Sequence, residues 1–220
     1  MREEFHQNAP MEVYLETERL ILRRLTRADA ENLFLLESDP AVMRFINGGK
    51  PTPREVIENE MLPWLLGEYR HAEGYGVWAA IEKSTGDFIG RVSLRAHEGG
   101  LEKVELGYRL RRSAWGKGYA TEASRALVDK GFSELGARRI FAETMTVNAA
   151  SRRVMEKVGL KFVRVFHDSW PETIDGAEEG DVEYALTRSE WERALPTIAV
   201  RSLAMIQVSV RPRPTLGWSG

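Results

Sequence analysis

One uninterrupted run, "VELGYRLRRSAWGKGYATEASRALVDKGF" from Val104 to Phe132, constrains this chain more than any other. It reads as a strand, then a basic turn in which Gly116 and Gly118 flank Lys117, then a helix with apolar positions recurring at three and four residues. The first N–H groups of a helix have no intrahelical acceptor, and the helix dipole adds partial positive charge there, so this order creates an anion site. Glycines let an oxygen approach the backbone with no Cβ in the way. Taken alone, the glycine pair fits a plain tight turn equally well. Gly107, inside the strand, predicts either a bulge or a close backbone approach.

The flanking segments alternate in character. "ERLILRRL" reads as a strand and "TRADAENLFLLES" as a helix capped by Thr26 or Asp29. "DPAVMRFINGGK" is a short helix stopped by Gly48 and Gly49. "TPREVIENEMLPWLLGEYR" predicts a longer helix with a Thr52–Glu55 capping box, Pro53 in the first turn and a bend at Pro63. "YGVWAAIE" and "FIGRVSLRA" pair across "KSTGD" as an antiparallel hairpin. After the glycine run come the strand "RRIFAETM" and the helix "NAASRRVMEKVG", ended by Gly159. The strands "KFVRVFHD" and "DVEYALT" follow, joined by "SWPETIDGAEEG", and "SEWERAL" makes a last helical turn capped by Ser189. The domain spans residues 13–195. The tail, 196–220, carries Ile198, Val200, Leu203, Met205, Ile206, Val208 and Val210, which predicts burial across a homodimer.

Composition narrows the function classes. Thirty-one basic and 33 acidic residues give a formal charge of −2, which argues against a general nucleic-acid partner. With no cysteine there is no disulfide framework, thiolate nucleophile or zinc–thiolate site. His6, His71, His97 and His167 lack metal-ligand spacing, so no metal is expected. Neither a signal peptide nor a run of about 18 apolar residues is visible, and a cytoplasmic protein with no membrane partner is the expectation.

The glycine run, followed by "RRIFAETMTVNAASRRVMEKVGLKFV", resembles the acetyl-CoA-binding core of the GNAT superfamily of N-acetyltransferases, and within it the RimJ/RimL-like ribosomal-protein N-terminal acetyltransferases. "ETERLILRRLTRADAENLFLL" and "VEYALTRSEW" fit the same pattern, in the same order. The resemblance implies an α/β (α+β) fold with a mixed, mostly antiparallel twisted sheet, splayed near Gly107, and helices on both faces. It implies acetyl-CoA as co-substrate, held at its pyrophosphate by backbone N–H groups of Trp115, Gly116, Lys117, Gly118, Tyr119 and Ala120, with Thr121 next in line. Lys117, Arg111 and Arg112 would add charge. Pantetheine would lie along Tyr108, Arg109 and Leu110 as an extra strand, and Asn148 would hydrogen-bond it. The tyrosine that protonates the leaving thiolate in many relatives falls at Met155, so Ser151 takes that role. Ser113 stands where the pattern often has Gln or Arg.

Acetyl transfer to nitrogen needs a neutral amine. Near pH 7.4 an α-amine is roughly a quarter neutral and a lysine only about 0.1%, so a base matters most for amines of high pKa. Glu105, beside Gly107 and flanked by Val104 and Leu106, is the candidate general base. The N–H of about Leu110 would polarise the carbonyl. The acceptor is an amine, either a protein N-terminus or a small molecule. Glu172, Asp175, Glu178 and Glu179 would suit a cationic one. The alternative is a non-catalytic acyl-CoA sensor.

Overall fold

The computed structural model describes residues 12–70, 73–97, 100–167 and 174–195. Its strands are β1 (Val13–Glu16), β2 (Leu20–Arg24), β3 (Gly76–Glu82), β4 (Phe88–His97), β5 (Gly100–Leu110), β6 (Arg139–Met145), β7 (Lys161–Phe166) and β8 (Asp181–Thr187). They form one sheet in the order β1-β2-β3-β4-β5-β6-β8-β7, antiparallel everywhere except between β5 and β6. The helices α1 (Ala30–Glu37), α2 (Pro40–Asn47), α3 (Arg54–Val56) and α4 (Leu62–Gly67) cover one face. The other face carries α5 (Tyr119–Ser133), α6 (Ala149–Val158) and α7 (Arg188–Ala194).

Strand alternation sorts the core into two layers. Val77, Ala79 and Ile81 of β3 pack with Leu33, Leu36, Ile57 and Leu65 under the first helix set. Trp78 and Ala80, with Val92 and Leu94 of β4, pack against Leu127, Phe132 and Val158 under the second. β3 is buried on both sides, so it reads as a continuous apolar run.

Four local readings need correction. β1 went unread because four residues with a register shift carry too little alternation. α3 begins after Pro53 with no side-chain cap, so the Thr52–Glu55 box does not form, and the Thr52 N–H donates to the Glu37 carbonyl at 3.1 Å. Pro63 does not simply bend a helix. A π-helical turn, Ile57–Met61, precedes it, and the Leu62 N–H reaches back to the Ile57 carbonyl. α7 is capped by Thr187, whose box with Glu190 leaves Ser189 inside the helix. The tail and its predicted dimer contact lie outside the described residues.

Candidate active site

β5 and β6 share only two rungs, Val104↔Ile140 and Glu105↔Phe141, after which β6 continues along β8 and β5 along β4. The sheet therefore opens from Leu106 onward. The Arg111 N–H donates to the Ile89 carbonyl at 2.9 Å, and the β4–β5 register is unbroken from Leu110 to Val104. Odd-numbered residues of β5 thus bond to β4, and the backbone groups of Leu106, Tyr108 and Leu110 point into the gap. No bulge occurs at Gly107; the shift lies between Ala96 and His97. Close approach is what Gly107 provides, since a Cβ there would stand 2.5 Å from Ser93 Oγ.

A cavity of about 720 Å³ runs through this gap, from the glycine turn to the α2 side of the sheet. On the α5–α6 side lies the predicted anion turn. Gly116 and Gly118 sit at φ 74° and 83°, a region that L side chains rarely adopt. A Cβ added at Gly116 meets nothing within 4 Å, so conformation alone requires glycine here and the space before the turn is open. The Glu122 N–H is the first to find a helical acceptor, on Gly118, leaving those of Tyr119, Ala120 and Thr121 at the helix mouth. The turn is tied down from the β1–β2 connection. Arg19 Nη1 donates to the Lys117 carbonyl at 2.9 Å, and Thr17 Oγ1 and Arg19 Nε donate to the Glu122 carboxylate at 2.6 and 2.7 Å. Burial alone would raise the Glu122 carboxyl, but these bonds hold it below the usual carboxylate range. Trp115, half exposed, donates its indole N–H to the Leu110 carbonyl at 2.8 Å. Lys117 is exposed on the turn itself.

Deeper in the gap, Tyr108 Oη lies 2.9 Å from Ser151 Oγ and 2.9 Å from the Ser151 carbonyl, to which it donates. Burial pushes the Tyr108 phenol up to about 12, against the opposing effect of the Ser151 bond. Asn148 caps α6, accepting from the Ser151 N–H at 3.2 Å and donating to Thr144 Oγ1 at 3.0 Å. Met155 is buried.

The other face is built from the odd positions. Glu105 from β5 pairs with Arg95 of β4 at 2.5 Å. Glu143 from β6 faces the same cavity across the gap. Enclosure by the walls, then the carboxylates of Glu183 and Glu105, push its carboxyl above the ordinary value. Sequence reasoning missed Glu143 because only the β5–β6 register, which pairs Glu105 with Phe141, brings it to the same face of the sheet, two residues further along β6. A glutamate alternating with buried Ile140 and Ala142 was the available signal.

Three predicted residues turn away from the cofactor side. Arg109 is at an odd position, so its side chain crosses to the opposite face and pairs with Glu37, while its backbone bonds β4. Arg111 donates to Asn32 Oδ1 at 3.1 Å and Arg112 to Asp39 Oδ2 at 2.7 Å, both on the α1–α2 side. Among the described residues lining the cavity, none comes from 174–180, where Asp175, Glu178 and Glu179 lie, and Glu172 is outside the described residues.

Known proteins match this arrangement. The family model for the acetyltransferase (GNAT) domain matches residues 19–161. The chain is 35% identical over 196 residues to FsC-acetyl coenzyme A-N(2)-transacetylase of Aspergillus fumigatus, covering 86% of this chain and 82% of that one. A GNAT-family acetyltransferase from Bacillus anthracis has a TM-score of 0.68 at 26% identity, covering 80% of this chain and 99% of that one. Spermidine N-acetyltransferase from Vibrio cholerae, in complex with CoA and spermine, shares the fold at a TM-score of 0.65 and 18% identity, over 80% of this chain and 99% of that one.

Proposed function

Because the chain belongs to the GNAT acetyltransferase family and is an acetyl-CoA-dependent acetyltransferase, we propose that it acetylates an amine by direct attack, with its proton chemistry divided between the two faces of the split sheet. The observation that carries this reading is the gap itself. Carboxylates line it on the α2 side, hydroxyls on the α6 side, and the anion turn is continuous with it. We place the chain in the RimJ/RimL-like branch on its sequence motifs. The name of the Aspergillus fumigatus relative supports nitrogen as the atom acetylated.

When bound, acetyl-CoA supplies the activated acetyl group. The open turn, the N–H groups of Tyr119, Ala120 and Thr121, and the gap-facing backbone of Leu106, Tyr108 and Leu110 fit its phosphates and its pantetheine arm. Lys117 and Trp115 complete the outer part of that seat. Base work falls to Glu105 and Glu143, directly or through water. Glu143 faces the cavity with its carboxyl raised by enclosure and by neighbouring carboxylates, and Arg95 keeps Glu105 oriented. On the opposite face Ser151 Oγ donates its proton to the leaving sulfur while it accepts from Tyr108 Oη, whose O–H turns to it from the Ser151 carbonyl. Asn148 fixes the first turn of α6, which carries Ser151.

Thiol release across a panel of amines tests this. Glu105→Gln and Glu143→Gln should each lower kcat by roughly 10²-fold for an amine of high pKa and by less for an α-amine. Both variants matching the parent in turnover and pH–rate profile would reduce these carboxylates to structural roles. Acetyl-CoA binding with no turnover on any amine would instead favour an acyl-CoA sensor.

A further inference from the structure

The α2 side of the cavity holds more guanidinium than carboxylate. Arg91 Nε donates to Glu37 Oε1 at 3.1 Å, and Arg109 Nη1 donates to Glu37 Oε2. Glu37 is fully buried, the two arginine side chains are 17% and 16% exposed, and both line the cavity. The neighbouring Arg95 and Arg112 each have a carboxylate of their own, Glu105 and Asp39. Here one carboxylate serves two guanidinia, which leaves a formal positive charge in a largely desolvated wall, a costly arrangement without a counter-ion. Burial and the adjacent Arg91 pull the Arg109 guanidinium down to about 10, against the attraction of Glu37. Each guanidinium has five N–H donors in a planar fork suited to an oxyanion. Around the pair the wall is apolar, with Val42 and Phe45 from α2, and Ile46 and Trp64 exposed at the rim.

From this excess charge beside an apolar rim, we infer that the acceptor is an amine carrying an oxyanion, a carboxylate or a phosphate, on an apolar body. This rests on the acetyltransferase reading and names its substrate class. The oxyanion binds across Arg91 and Arg109. The amine points along the strands to the gap at Gly107, two residues from Arg109 and about 7 Å away at strand spacing. The apolar body lies against Phe45, Ile46 and Trp64.

The test uses acceptors paired with and without the oxyanion and compared at equal neutral-amine concentration, because the anion also raises the amine pKa: phenylalanine and its amide, phenylalanylglycine and its amide, phosphoethanolamine and ethanolamine, with spermidine as a cationic control. The charged member of at least one pair should show kcat/KM at least about tenfold higher, the scale of one charge-assisted hydrogen bond. The carboxylate and phosphate pairs separate the two oxyanions. Arg91→Gln leaves Glu37 and Arg109 as a balanced pair, so the variant should fold, and it should collapse the ratio within the preferred pair. Neutral members or spermidine performing as well as the charged acceptors, or a ratio unchanged in Arg91→Gln, would overturn the inference. A binding measurement stands apart from turnover. 3-Phenylpropionate, which has no amine, should raise the Tm of the enzyme–CoA complex more than its amide does, and Arg91→Gln should abolish the difference. Equal shifts would reject the oxyanion site even if no amine is acetylated. Absent turnover with the shift present would reject only the acetyltransferase reading.

Discussion

The two faces of the gap are built in different ways. The face proposed for the cofactor comes almost entirely from neighbours in the chain, Tyr108 to Thr121 and Asn148 to Ser151, and its donors are mostly backbone N–H groups. The face proposed for the acceptor is assembled from side chains far apart in sequence. Glu37 meets Arg91 and Arg109 at separations of 54 and 72 residues, and Trp64 lies under the Arg95 guanidinium at 5.4 Å. Backbone donors do not depend on side-chain identity, whereas the side-chain wall can vary without disturbing them. On the proposed roles, generality resides on one face and selectivity on the other.

Four measurements break or sharpen that contrast. The largest effect is expected from Glu37→Ala, which leaves two buried guanidinia without their carboxylate and should cost about 3–5 kcal/mol of stability. Denaturant midpoints check this. Acetyl-CoA affinity, measured where the variant is folded, should hold, and an equal loss there would show that the faces are not independent. Next, Ser151→Ala should lower kcat by at least about tenfold with little change in KM, whereas Tyr108→Phe should lower it less and leave the pH profile in place, since that phenol stays protonated. Equal losses in the two variants would make Tyr108 the donor rather than the group that positions it. Third, Gly118→Val forces a β-branched residue into left-handed backbone and should weaken acetyl-CoA at least tenfold, about 1.4 kcal/mol, by calorimetry. Acceptor binding to the folded variant should persist.

The smallest effect concerns pH. The Glu122 carboxyl is lowered in the folded protein, so its contribution is fully present above the unfolded value of about 4.3 and is lost as pH falls through the folded one. The Tm advantage of the parent over Glu122→Gln should be constant near neutrality and shrink below about pH 4. An advantage that grows on acidification would contradict the tether of Glu122 to Thr17 and Arg19.

Much of the site was legible because it depends on local order. The glycine turn, the helix mouth, the Asn148 cap and the position of Ser151 each follow from residues within a few positions of one another. Arg109 shows where that reading stops. Its place beside Tyr108 and Leu110 suggested cofactor contact, but the pleat sends alternate side chains to opposite faces. Glu143 shows the complementary failure. Its carboxyl is raised by enclosure and then by Glu183 and Glu105, residues on two other strands. At α7 the neighbouring Thr187 takes the cap assigned to Ser189, whereas α3 starts after Pro53 with no side-chain cap.

By itself, then, the sequence determined the order of elements, the anion turn and the chemistry available along β5, because periodicity, glycine conformation and helix-end donors are short-range properties. Only the tertiary structure decided which carboxylates share the gap and which hydroxyl seats Ser151. It alone decided, too, that one buried glutamate serves two arginines. Those facts depend on strand register and sheet splay, which bring distant residues to within hydrogen-bond distance and remove them from water.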